Sequence, residues 1–217
     1  MMDFLHLLLD FILHIDKYLN EWVSTYQTWT YLILFIIIFC ETGLVVTPFL
    51  PGDSLLFAAG TIAAMDGNPL NVTMLIVVIL IAAFAGDNTN FFIGRFLGKK
   101  VYEKNYKLIK REYIDKTHAF YEKHGPITIV VGRFMPFIRT FAPFIAGAAQ
   151  MSYPKFATYN VGGGILWVGS LTTVGYMIGE HPWVKANFSI VALAMIIIPG
   201  LPALWVFKHF SIYWKLQ

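Results

Sequence analysis

Five ionisable residues lie in stretches that otherwise offer little but hydrocarbon: Glu41, Asp53, Asp87, Arg133 and Arg139. A charge at the bilayer centre costs at least about 2.5 to 3.5 kcal/mol on insertion scales, so such residues turn inward and find partners. An arginine fork matches the oxygens of a phosphate, and a carboxylate in an apolar setting can load and release a proton. Acids set against bases in this way describe a proton-linked carrier of a phosphate-bearing lipid. Plainer readings stand beside that one. Asp53 could be the N-cap of a helix starting at Ser54, and Glu41 a structural partner of Arg139. Arg133 could snorkel to a nearby cytoplasmic face. Asp87 shares a helix face with Asn90 and Gly94 and could serve an interhelical hydrogen bond rather than a polar pathway. Arg139, between two prolines, is the hardest to read as merely structural.

The elements that must hold these residues follow from composition. The 217 residues are 57% hydrophobic and 13% charged, with a mean hydropathy of +0.62, which is too little polar surface to coat a water-soluble globule. A span takes roughly 20 apolar residues, so the chain holds about four to six membrane segments in one membrane domain, 1–217. The net charge is +3. Its lysines and arginines gather in one loop beside the membrane segments, which reads as topology and not as nucleic-acid binding. Cys40 is the single cysteine, so it forms no intramolecular disulfide. The N-terminus has no Lys or Arg ahead of its apolar stretch, which argues against a cleaved signal peptide. His118 and His124 have no convergent Cys or His, so no metal or other cofactor is expected. No nucleophile–base constellation stands out, and the chain is not expected to be an enzyme.

Along the chain, residues 1–25 carry Asp3, His6, Asp10, His14 and Lys17 three or four apart, the polar stripe of an amphipathic helix. It either lies in the membrane interface or spans with its stripe inward; the interface is favoured. Trp22, Tyr26, Trp29 and Tyr31 follow, as expected near headgroups. Residues 29–65 form an apolar run broken by Pro48, Pro51 and Gly52, and the second arm is too short to span comfortably, so the pair reads as a re-entrant hairpin. Residues 72–96 are a span. Residues 98–125 are a basic loop, cytoplasmic by the positive-inside rule. Residues 126–150 are apolar but broken at Pro136 and Pro143, with Arg133 and Arg139 on either side of Pro136. Residues 156–207 hold two spans, and 208–217 form a tail. With loop and tail both cytoplasmic, 126–150 must enter and leave on that side as a second hairpin, while the first dips in from the opposite face. The fold expected is therefore an all-α membrane bundle with two oppositely oriented re-entrant hairpins, an inverted-repeat transporter pattern with its site near the midplane, plus an N-terminal amphipathic helix. Gly94 with Gly98, and Gly162-Gly163-Gly164, read as close helix contacts.

Several strings in the chain resemble the DedA family, also described as the VTT or SNARE-associated domain superfamily. They are Phe-Cys-Glu-Thr-Gly at 39–43, Pro-Phe-Leu-Pro-Gly-Asp-Ser at 48–54, Gly-Asp at 86–87 with Gly-Arg at 94–95, and Gly-Arg-Phe-Met-Pro-Phe-Ile-Arg-Thr-Phe-Ala-Pro-Phe-Ile-Ala-Gly at 132–147. The last is highly specific; Gly-Arg or Pro-Gly-Asp alone would be weak. The resemblance runs from about Asp10 to about Phe207. It implies two facing hairpins, functional positions at Glu41, Asp53, Arg133 and Arg139, and a multi-pass protein of the bacterial inner membrane. It implies translocation of lipids such as undecaprenyl phosphate or phosphatidylethanolamine, linked to the proton motive force and to envelope integrity. The partners implied are thus a phospholipid or polyprenyl phosphate and protons, and a homo-oligomer is compatible with it. The short, weakly basic tail departs from the pattern and puts a tail-specific role in doubt.

Two other classes compete: a proton-coupled small-solute or cation antiporter, which uses the same intramembrane charges, and a noncatalytic assembly factor for membrane proteins. The wide apolar groove that a lipid requires separates the first of these from a lipid carrier. A cysteine-accessibility scan tests the topology. Positions in 98–125 are expected to label from the cytoplasm alone, and labelling from outside would sink the facing-hairpin arrangement.

Overall fold

The computed structural model describes residues 14–44, 52–104, 128–191 and 193–195. Residues 1–13 of the amphipathic segment, Pro48 and Pro51, most of the basic loop and the chain from 196 onward lie outside the described residues. The described chain is helical, with no strand among the described residues. Its elements are α1 (Ile15–Tyr26), a 3-10 turn (Gln27–Trp29), α2 (Thr30–Gly43), α3 (Gly52–Ala63), α4 (Val72–Lys104), α5 (128–132), α6 (Pro136–Ala148), α7 (Tyr153–Ile178) and α8 (Pro182–Ala186). Among the described residues, three stretches are long and apolar enough to cross a membrane: Ile15–Gly43, Val72–Lys99 and Tyr153–Ile178. At about 1.5 Å per residue, the 12 residues of α3 reach about 18 Å, well short of a hydrocarbon core of roughly 30 Å.

The chain resolves into two compact units. One comprises Met1–Thr30, Pro51–Leu75 and Leu171–Gln217, the other Tyr31–Leu50 and Ile76–Ser170. In the first, α1 buries Ile15, Leu19 and Val23, one residue per turn of a single face, and packs against α3. Its remaining faces carry Lys17, Asn20 and Glu21, all exposed. The α3 helix lies backbone to backbone against the final turns of α7. A side chain at Gly60 would collide with the Thr172 carbonyl, and one at Gly175 with the Phe57 carbonyl. Thr61 tightens the same contact, its hydroxyl lying 3.1 Å from the Phe57 carbonyl and 3.2 Å from that of Gly175. Asn71 caps α4, its side-chain oxygen accepting from the Met74 amide at 3.1 Å.

In the second unit, Phe91 of α4 stacks on Phe156 of α7 with ring centroids 4.3 Å apart. Around them Ile129, Ala142, Ala146, Ala149 and Met151 complete a core. Small residues let α4 approach its neighbours at main-chain distance. A Cβ at Gly43 would meet the Gly86 Cα at 3.1 Å, and Cβ atoms at Gly94 and Gly147 would strike the carbonyls of Phe144 and Phe91.

Two boundaries differ from the sequence reading. The charge pattern starts the basic loop at residue 98, but α4 continues to Lys104. Gly98 does not end the helix because it serves the close approach to Ala148, and the residues after it are tolerated in helices. Pro143, expected as a break, lies inside α6 instead. Its ring removes only the amide that would have bonded the Arg139 carbonyl, and the helix accommodates that loss.

Glycine substitutions separate contact from mere helix propensity. Gly94→Ala is expected to lower the stability of the detergent-purified protein by about 1–3 kcal/mol through overpacking. Gly169→Ala has nothing within 4 Å of the added Cβ and is expected to be neutral or to gain up to about 1 kcal/mol. Thermal unfolding followed by tryptophan fluorescence reads both.

Candidate functional site

The break between α5 and α6 builds the site. Arg133, Phe134 and Met135 leave the helix in a tight turn, their amides bonding to the carbonyls of Val130, Val131 and Gly132 at 3.3, 3.1 and 3.0 Å. Pro136 restarts the chain at the first position of α6, where its missing amide costs nothing. Arg133 is thereby held in the turn and Arg139 one turn into α6. Both are only 3% exposed.

Each arginine has a carboxylate. Arg133 donates through Nη2 to Asp87 on α4, and Arg139 donates through Nη2 to Glu41 on α2. All four groups belong to the second unit. Arg133 also donates to the Asn160 side-chain oxygen on α7 at 2.6 Å. It therefore does not snorkel toward solvent, the plain reading that its position near a membrane face allowed. Asp87 combines the two readings open to it: it makes an interhelical bond, and it makes it to one of the functional-candidate arginines. Its neighbour on the same face, Asn90, donates to the carbonyls of Thr140 (2.7 Å) and Thr42 (3.2 Å). One amide thus ties together the residues that directly follow Arg139 and Glu41.

Beneath both guanidinium groups lies Trp167 of α7, fully buried. The ring centroid is 4.5 Å from the Arg139 Cζ and 6.0 Å from that of Arg133. Several buried polar atoms have no protein partner: Arg133 Nε and Nη1, Asn160 Nδ2 and Asp87 Oδ1. The amide oxygens of Asn88 and Asn90 on α4 are likewise buried without a hydrogen-bond partner, so the site holds both donors and acceptors that a bound polar group could satisfy. Asp53 belongs to the first unit. Because α3 begins at Gly52, Asp53 is its second residue, inside the first turn, and not the N-cap that the sequence reading allowed. It is buried at 5% exposure, where its charge complements the positive helix end. No group of three or more His, Cys, Asp or Glu able to hold a metal occurs among the described residues.

Sequence reasoning passes over Asn160 and Trp167. A lone amide and an indole in an apolar helix carry no signal until something charged is known to lie opposite them. The faint clue is Asn160 followed closely by three glycines in a row. Asn90 is legible on the Asp87 face, without its double bond to the backbone.

Comparison with known proteins agrees with the strings quoted above. The VTT domain family matches residues 50–177. The chain is 54% identical over 202 residues to Protein DedA of Escherichia coli (strain K12), covering 93% of this chain and 92% of that protein. It is 41% identical over 172 residues to an uncharacterized membrane protein of Mycobacterium tuberculosis (strain H37Rv), covering 79% and 75% of the two. It is 33% identical over 187 residues to the inner membrane protein YqjA of Escherichia coli (strain K12), covering 85% and 84%. No solved structure matches the chain.

Removing one member of a buried ion pair leaves the other charge uncompensated, at a cost of about 3–5 kcal/mol. Arg133→Gln is therefore expected to destabilise the protein strongly. The double variant Arg133→Gln with Asp87→Asn is expected to recover much of the loss, because two amides of similar shape can bond to each other. Thermal unfolding of the wild type, the two single variants Arg133→Gln and Asp87→Asn, and the double variant in one detergent measures the recovery.

Proposed function

This chain belongs to the DedA family of VTT-domain membrane proteins, and on that premise we propose that it is a lipid transporter of the bacterial inner membrane. In this reading it moves a phosphate-bearing lipid such as undecaprenyl phosphate or phosphatidylethanolamine between leaflets, and its cycle is linked to protons. The observation that carries the reading is the pair of buried arginines in one unit, each ion-paired with a carboxylate, in a chain whose described residues include three helices of span length. Four such groups are costly to bury in lipid, and in membrane proteins they commonly mark substrate or ion pathways.

The chemistry assigned to the residues follows from their partners. Arg133 has donors at Nε and Nη1 that no protein group uses, and Asn160 adds a third at Nδ2. Together they can receive phosphate oxygens while Nη2 stays on Asp87. Glu41 is the proton carrier. With Glu41 protonated, Arg139 is released from its ion pair and can turn to the anionic headgroup; when Glu41 ionises, it reclaims the arginine and the lipid leaves. Asp53 serves as a second acid, the role its position in the family motif implies. The interrupted segments at 29–65 and 126–150 act as two oppositely oriented re-entrant hairpins, with residues 98–125 and the C-terminus cytoplasmic. That arrangement admits the headgroup from either side while the acyl or prenyl chain stays in hydrocarbon.

Translocation of labelled undecaprenyl phosphate and phosphatidylethanolamine in proteoliposomes, with and without a pH gradient, tests the proposal. The wild type is expected to move at least one of them in a gradient-sensitive way. Folded Glu41→Gln and Arg139→Ala variants are expected to lose that movement by about tenfold or more. Movement of neither lipid by well-folded wild type would overturn the proposal and favour a small-solute antiporter or an assembly factor.

A further inference from the structure

One face of α7 is given over to the arginines. Asn160, Gly163, Gly164 and Trp167 are spaced i, i+3, i+4 and i+7, which places them on one stripe of the helix. Each meets a guanidinium or its stem. Asn160 accepts from Arg133 Nη2 at 2.6 Å. A Cβ at Gly163 would lie 3.1 Å from Arg133 Cδ, and one at Gly164 would lie 3.6 Å from Arg133 Cζ and Nη1. Trp167 presents its indole at 4.5 Å to Arg139 and at 6.0 Å to Arg133. Gly162, off this stripe, would place its Cβ in open space, so the glycine run is not simply a helix contact along its whole length. The stripe bears no formal charge, yet it offers a carbonyl dipole and a π face, both of which attract a cation, and between them a bare backbone surface that leaves room for the Arg133 side chain.

We propose that this stripe is a charge-free rest for the two guanidinium groups, with Trp167 and Asn160 as positioning residues. It holds Arg139 and Arg133 in place during the interval in which a carboxylate has lost its charge. A guanidinium whose carboxylate has been neutralised in an apolar interior loses the attraction of that charge. The stripe offsets part of that loss without adding a competing anion that would have to be displaced before a ligand phosphate could bind. Trp is the aromatic best suited to the task, and an indole reaching both arginines also lets the hold pass from one to the other. The part this plays in a transport cycle rests on the reading given above. The physical coupling does not.

The test is a double-mutant cycle between Glu41→Gln, which removes the charge opposite Arg139, and Trp167→Leu, which removes the π face while keeping an apolar side chain. Survival of monodisperse protein in detergent at raised temperature is the readout, so the result stands whether or not any lipid is moved. If the indole takes over the arginine when the carboxylate is neutral, Trp167→Leu shortens survival at least about tenfold more in the Glu41→Gln background than in the wild type. Equal effects in the two backgrounds would make Trp167 ordinary packing and overturn the proposal. Should the leucine variant fail to give monodisperse protein, Trp167→Phe enters the same cycle. Phenylalanine keeps a weaker π face, so its penalty is again larger in the Glu41→Gln background, and additivity there overturns the proposal equally.

Discussion

A charge inside hydrocarbon has to be answered from within the protein, and much of the second unit is arranged to meet that demand. Arg133 and Arg139 draw Asp87 from α4 and Glu41 from α2, so three separate parts of the chain are tied by two buried ion pairs. Desolvation makes each pair a poor source of net stability and makes the loss of either member severe. The pairs are therefore better understood as constraints on arrangement than as glue. They fix which helix faces meet, and they punish any packing that separates them.

The helices that carry these groups are brought close by the absence of side chains. Glycines at 43, 86, 94, 98 and 147 let α2, α4 and α6 meet at main-chain distance, which is close enough for Asn90 to bond two carbonyls on two other segments. In water such a surface would lack a hydrophobic driving force of its own. In lipid, where that force is missing between helices anyway, dispersion and interhelical hydrogen bonds dominate, and small residues become the effective choice. Apolar side chains such as Phe92, Phe96 and Ile165 turn outward without penalty for the same reason.

How much of this the sequence discloses depends on the range of the physics concerned. Lipid as solvent, the break ahead of Pro136 and the special standing of Glu41, Asp87, Arg133 and Arg139 are legible because each follows from local composition and the cost of charge. Partner choice is only half legible. Glu41 with Arg139 suggests itself as a pair, but Asp87 with Arg133 depends on the rotation of α4 relative to the turn at 133, which no periodicity within α4 reports. Asn160 and Trp167 are invisible because their significance comes from what lies opposite them. Pro143 misleads because a proline signals a missing amide, and whether a helix bends, stops or continues at that point is decided by its surroundings. The sequence reading ends α4 too early because charge marks the limit of the hydrocarbon and not the limit of the helix. Asp53 belongs to the other unit, and its family-implied kinship with Glu41, Arg133 and Arg139 is legible only as motif.

Main-chain contact between α2, α4 and α6 also sets a clock. Where two helices touch through side chains, rotamers can relax and the helices can part by degrees; where they touch through glycine, there is nothing to relax, and separation is all or none. Glu41, Asp87 and Arg139 ride on helices joined in that second way, and Arg133 is locked in a turn bonded to its own α5. An exchange of partners among them is thus accomplished by a guanidinium turning about its own bonds on a fixed scaffold. Such rotations are intrinsically faster than the microsecond-to-millisecond displacement of whole helices. In the proposed cycle, the switching of charge within this unit would then keep pace with the arrival of each proton, and the slow step would belong to the passage of something larger.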